Sequence, residues 1–235
     1  MRIGLIAARL LGIPQAEDYT ERLVRTGEVR RALDVGCGSF SHLTRFRPGI
    51  TTVGVDAFPD ALELARTRGV HDAYVLADVL SADPAELLAL AGLGPGERFD
   101  LVTLYGLIEH LLRRRGFDLL ERCEALTSKY VLLETPNGFV EQGPEFGNVY
   151  QRHLSGWFPE DFIGLGYKVY GTTGTKYLRG YAAGPKYPIR GVLTLDVVLS
   201  RLLRVDRRAR HAFNLVAIKD VRGVPARLGG GGAAA

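Results

Sequence analysis

The stretch Ala32–Phe40, Ala-Leu-Asp-Val-Gly-Cys-Gly-Ser-Phe, constrains the fold more than any other part of the chain. A short apolar run reaches Asp34, and glycines follow at alternate positions, Gly36 and Gly38. Without a Cβ the backbone can turn tightly there and admit a ligand closely. A strand that runs into a Gly-rich turn ahead of a helix is how doubly wound α/β folds hold a nucleotide-like ligand. Two glycines also occur in ordinary tight turns, so the next strand has to supply the context. It reads Thr51–Asp56, Thr-Thr-Val-Gly-Val-Asp, a β-branched run closed by an acid 18 residues beyond Gly38. An acid at the carboxyl end of the second strand can accept hydrogen bonds from both ribose hydroxyls. The dinucleotide fingerprint wants a third glycine where this chain has Ser41, which argues against an NAD enzyme.

These segments resemble the class I S-adenosylmethionine-dependent methyltransferase family. Asp34-Val-Gly-Cys-Gly-Ser-Phe40 is similar to its first motif, with Phe40 where the family often has a third glycine, and Val53-Gly-Val-Asp56 to its second. Ala77-Asp78-Val79 resembles the third motif, whose acid meets the adenine amino group. Phe99–Leu111 resembles the fourth strand and the helix after it. Its Glu109-His110-Leu111 is typical of the branch that methylates small molecules, quinone precursors included. Glu134-Thr-Pro-Asn137 and His153 are similar to that branch as well, so the matches run from Ala32 to about Gly171.

The resemblance implies a Rossmann-like, doubly wound α/β fold. Its mostly parallel seven-stranded sheet would carry helices on both faces and an antiparallel last strand beside the fifth. It implies S-adenosylmethionine as cofactor and S-adenosylhomocysteine as product. The implied cofactor-binding residues are Asp34, Gly36, Gly38, Asp56, Ala57, Phe58, Asp78, Val79 and Tyr105. Five of them have a plainer reading. Asp34 can bond backbone N–H groups of the turn, Asp56 can cap a helix, Asp78 can be a turn aspartate, and Phe58 and Tyr105 can be core aromatics.

Methyl transfer from a sulfonium asks the protein mainly to align two partners and exclude water. A base is needed only where the acceptor must lose a proton, as a hydroxyl does. His110 is the first candidate, since it follows the fourth strand and imidazole titrates near neutrality. His153 is the second; their alternatives are a histidine packed at a helix start and a loop histidine bonded to backbone. His42, His71 and His211 read as structural or surface residues. Arg113–Arg115 suits an acidic group or a solvated helix end. The mixture of Lys176, Tyr177, Arg179, Tyr181, Lys186, Tyr187 and Arg190 suits RNA, a substrate lid, or tyrosines packed on the core.

The 235 residues suffice for one α/β domain with a full core. Hydrophobic content of 46% and charged content of 24% are globular values. A net charge of +4 and a pI near 9.1 permit an anionic partner without requiring one. Cys37 and Cys123 form neither a disulfide framework nor a metal cluster, and no metal is expected. No stretch nears the roughly 20 apolar residues of a membrane helix, and Arg9 interrupts the N-terminus too soon for a secretory segment. The expectation is a cytoplasmic protein.

Along the chain, Ile3–Leu11 is an apolar stretch that packs on the domain or folds over its mouth. Strands are expected at Arg31–Val35, Thr51–Asp56, His71–Ala77, Arg98–Tyr105, Lys129–Glu134, Tyr167–Thr172 and His211–Lys219. Helices are expected at Gln15–Thr26, Ser41–Phe46, Pro59–Arg68, Pro84–Ala91, Leu107–Leu112, Phe117–Leu126, Pro159–Leu165 and Val192–Leu203. Thr135–Gly156 is a long polar connection over the ligand crevice. Residues 1–228 read as one domain, with 1–30 a helical cap and 173–205 an insert; 229–235 read as a disordered tail.

Three function classes stand. The first is a methyltransferase acting on an O, N or C atom of a small molecule, glycan or lipid precursor. An RNA-modifying methyltransferase is the second, although Thr135-Pro136-Asn137 does not match the Asn/Asp-Pro-Pro-Tyr amine site. A non-catalytic cofactor-binding protein is the third.

Overall fold

Seven β-rich segments pair into one sheet because each carries a run of apolar residues that a helix on either face can cover. A computed structural model describes residues 12–144 and 149–223. The strands are β1 Arg31–Val35, β2 Thr51–Asp56, β3 Ala73–Leu76, β4 Phe99–Tyr105, β5 Thr127–Pro136, β6 Lys168–Thr175 and β7 Ala212–Asp220. Their order is β3-β2-β1-β4-β5-β7-β6. The first five run parallel, and β7 lies antiparallel between β5 and β6. The order turns back at β1, between β2 and β4, which is where such sheets open a crevice at their carboxyl edge.

Alternation along the strands builds two cores. Leu33, Val35, Val102, Leu104, Val131 and Leu133 face one layer, with α3 (Pro84–Leu90) and α4 (Arg113–Leu126) packed over them. Ala32, Leu101, Leu132 and Val216 face the other, covered by Ala16 and Tyr19 of α1 (Ala16–Arg25). Phe99 joins the first layer out of phase because the β4–β5 register slips between Phe99 and Leu101. The remaining helices are α2 (Pro59–Thr67), α5 (Pro159–Ile163) and α6 (Val192–Leu203). No helix among the described residues is long and apolar enough to cross a membrane.

Three local expectations are corrected. Ser41–Phe46 is not an α-helix; His42–Phe46 makes a short 3₁₀ segment capped by the Ser41 hydroxyl. The helix expected at Leu107–Leu112 shrinks to one 3₁₀ turn, Ile108–His110, and α4 begins at Arg113 and runs through Gly116. Gly116, which falls between the two expected helices, lies mid-helix with the Trp157 indole against it. A Cβ there would stand 2.3 Å from that ring. β6 likewise runs on to Thr175, into the stretch read as irregular insert. Ile3–Leu11 and the 229–235 tail lie outside the described residues.

Candidate active site

The glycine turn after β1 is built around Val55 and Asp56. Gly36 N–H and Cys37 N–H donate to the Val55 carbonyl at 2.8 and 3.1 Å. Gly36 and Gly38 both hold left-handed backbone, φ +66° and +55°. Gly38 N–H donates to Asp56 Oδ2 at 2.8 Å, and Phe58 N–H to Asp56 Oδ1 at 2.8 Å. Burial raises the Asp56 pKa above its ordinary range, with those N–H groups pulling the other way. Asp56 therefore ties the two strand ends together. Ala57 is exposed and Phe58 half-buried, its ring 6.1 Å from that of Tyr150. A Cβ on Gly38 would have nothing within 4 Å, so the space above this turn is open.

Asp34 meets side-chain hydroxyls rather than the backbone N–H groups of its plainer reading. Its carboxylate lies beneath the turn, 2% exposed. It accepts from the Thr103 hydroxyl at 2.8 Å and from the Ser41 hydroxyl, with His71 Nε2 at 3.5 Å. That last distance is too long for a hydrogen bond, and neither nitrogen of His71 has a partner within hydrogen-bond reach. Asp34 shapes the turn from inside through side-chain hydroxyls. Asp78 is exposed at the carboxyl end of β3 and accepts from Leu80 N–H at 2.9 Å and Ser81 Oγ at 2.7 Å, while Val79 is buried.

Tyr105 ends β4 and packs toward α1: its hydroxyl lies 2.6 Å from Thr20 Oγ1, and its ring 4.7 Å from His42. His42 Nδ1 sits 2.9 Å from Glu17. Burial alone would lower the His42 pKa, but the Glu17 carboxylate, with Glu134 and Asp34 behind it, outweighs it and the net shift is upward. This Glu17–Thr20–His42–Tyr105 group stands beside the turn, in keeping with a structural role for His42. No local pattern marks it, because α1 and the turn meet only in space.

His110 and His153 are brought together. Glu109 carbonyl accepts Leu154 N–H and Ser155 N–H at 2.8 and 3.1 Å, which stitches the long connection onto the 3₁₀ turn. The two imidazole rings then lie 4.8 Å apart. Trp157, fully buried, anchors the connection from below through its Nε1–H to Ser155 Oγ at 2.9 Å. A cavity of about 320 Å³ opens here, lined by Gly106, Glu109, His110, Glu134, His153 and Asn214 among others. Glu109 is buried, accepts the Thr135 hydroxyl at 2.9 Å, and burial pushes its pKa up to about 7. Burial also lowers the His110 pKa and raises that of Glu134, whose carboxylate takes Asn214 Nδ2–H at 3.0 Å. Glu109 and Glu134 carry no role in the sequence analysis; that the first is buried and the second half-buried beside the cavity is a tertiary property.

The cavity adjoins the glycine turn, since Leu107 packs directly against Gly36. Two basic candidates are engaged elsewhere. Arg113 binds Asp161 and the Gly156 carbonyl over the Trp157 ring. Arg179 is buried in an ion pair with Asp196 at 2.6 Å.

Residues 33–127 match the family described as "Methyltransferase domain". No curated protein matches the chain significantly. Among solved structures, a SAM dependent methyltransferase from Archaeoglobus fulgidus is 23% identical, with TM-score 0.51 over 88% of this chain and 94% of its own. The plantazolicin methyltransferase BpumL with SAH and a substrate analog is 16% identical, with TM-score 0.53 over 90% and 83%. Magnesium protoporphyrin IX methyltransferase from Synechocystis PCC 6803 is 13% identical, with TM-score 0.50 over 87% and 77%. These identities establish a shared fold. The match to a methyltransferase domain thus runs from β1 to the start of β5, on a fold shared with these solved methyltransferases.

Proposed function

We propose that the protein transfers the methyl group of S-adenosylmethionine to a small-molecule acceptor seated in the cavity between Glu109, His110 and His153. The observation that carries this reading is the position of that cavity. It opens at the carboxyl ends of β4 and β5, its lining residue Gly106 is followed by Leu107, which packs against Gly36, and its size suits a small ligand. The cofactor supplies an electrophilic methyl on a good leaving group. Gly38 leaves room for it, Asp56 offers acceptors to its ribose, and Asp78, Val79 and Phe58 stand at the adenine end. His110 and His153 line the cavity that would seat the acceptor. Engagement of Arg113 and Arg179 within the protein weakens the RNA reading.

Calorimetry with S-adenosylmethionine, and separately with NAD, tests the cofactor half. Micromolar binding of the first is expected, about −8 kcal/mol. Asp56→Ala should weaken it by roughly tenfold or more, since a hydrogen bond to a charged group contributes about 1.5–3 kcal/mol. Tight NAD binding with no response to S-adenosylmethionine would overturn the reading. A labelled-methyl assay on cell extract, with and without nuclease, tests the acceptor half; loss of all label on nuclease treatment would favour RNA instead.

A further inference from the structure

Glu109, His110 and His153 each offer one ligand atom, and these atoms lie within 4.8 Å of one another. Two imidazoles and one carboxylate lining one cavity are a donor set suited to divalent first-row transition ions.

Second contacts hold the donors in the form an ion needs. His110 Nδ1 lies 3.2 Å from the Arg152 carbonyl, and His153 Nδ1 2.6 Å from the Val140 carbonyl. A carbonyl can only accept, so each Nδ1 carries a proton, and in the neutral ring Nε2 is the nitrogen that can bind an ion. Ligating histidines characteristically donate their other N–H in this way. The Thr135 hydroxyl holds Glu109 Oε2 at 2.9 Å, fixing the carboxylate direction. The backbone bonds from Leu154 and Ser155 to the Glu109 carbonyl fix the connection that carries His153 against the turn that carries the other two. None of this is needed to bind the cofactor, whose contacts lie at the glycine turn.

We propose that these three side chains bind one divalent transition-metal ion that in turn holds a hydroxyl oxygen of the acceptor. Metal–ligand bonds of about 2.1 Å bring neighbouring donors to about 3 Å of each other, so entry of the ion draws the three together by a rotamer-scale movement. The acceptor half rests on the methyltransferase reading above and narrows it to hydroxylated acceptors, because a bound cation acidifies a ligated hydroxyl. In transfer the oxygen–carbon bond forms as the carbon–sulfur bond breaks. The bonding pair stays on sulfur as a neutral thioether, and the hydroxyl proton passes to solvent.

The test is a titration of the purified full chain, stripped with chelator, with Co²⁺ followed by its visible d–d absorption. Calorimetry with S-adenosylmethionine and thermal denaturation run in parallel on wild type, His153→Ala and Glu109→Gln. One equivalent of Co²⁺ should produce the band in wild type, and each variant should need at least tenfold more ion while keeping cooperative unfolding. Cofactor affinity of His153→Ala should stay within about twofold of wild type. A folded, cofactor-binding wild type that gives no band overturns the metal site and leaves the methyltransferase reading standing. A band that survives in both variants also overturns it, since the ion would then sit elsewhere. Metal binding without cofactor binding sinks the methyltransferase reading and upholds the site.

Discussion

Gly36 and Gly38 sit two residues apart in one turn, both with left-handed backbone, yet alanine should damage them differently. At either site alanine in that conformation costs about 1–2 kcal/mol, partly offset by about 0.4–1 kcal/mol from a stiffer unfolded chain. At Gly36 the new Cβ would also stand 2.6 and 2.8 Å from the two methyls of Leu107. Leu107 packs against the main core and cannot retreat freely, so overpacking adds about 1–3 kcal/mol. The expected loss is then about 2–4 kcal/mol for Gly36→Ala, and about 1 kcal/mol or less for Gly38→Ala, whose Cβ has nothing within 4 Å. For a chain this size each kcal/mol moves Tm by about 2–4 °C. Function should invert the order of interest, because the Gly38 methyl projects into space the cofactor needs. Gly38→Ala should fold almost normally and lose S-adenosylmethionine affinity by at least tenfold. Urea denaturation with calorimetry on both variants checks this. Equal destabilisation of the pair, or wild-type cofactor affinity in Gly38→Ala, would refute the reasoning.

Gly116→Ala should be destabilising by about 1–3 kcal/mol despite a gain of about 1 kcal/mol in helix propensity, because its Cβ meets the Trp157 ring at 2.3 Å; near-ultraviolet dichroism and denaturant midpoint report it. Arg179→Met should cost about 3–5 kcal/mol in urea unfolding by leaving the fully buried Asp196 carboxylate unpaired, and an unchanged midpoint would show that the pair is not needed. His42 has a folded pKa above its ordinary 6.5, so its stabilisation is fully present below 6.5 and is lost as pH rises through the folded value. Glu17→Gln should flatten that decline, seen as a smaller drop in unfolding free energy between pH 6 and pH 8 than in wild type. A matching drop in the variant would remove Glu17 as its cause.

The fold was legible because its signals are local. Apolar strands of four to ten residues alternate with capped helices, and glycine placement marks the turn after β1. Pro59 and Pro84 start α2 and α3 as a missing N–H allows. Where the reading slipped, a distant partner had intervened. Gly116 looks like a helix breaker until Trp157, 41 positions on, occupies the place of its side chain. The Arg179 of a basic, aromatic stretch looks like a nucleic-acid contact until Asp196 buries it.

The site divides the same way. Gly36, Gly38 and Asp56 could be named from the chain alone, since a turn needing positive φ and an acid ending the adjacent strand are properties of short segments. That Asp34 bonds Thr103 and Ser41, that Glu17 reaches His42, and that His153 meets Glu109 and His110 could not. Those contacts join groups up to 69 positions apart, and such pairs are set by how strands order and loops fold back, which no window of residues encodes. The sequence by itself determined a parallel sheet with a ligand-ready turn. Only the tertiary structure decided which carboxylates lost their water, and with it which side chains line the space where an acceptor would sit.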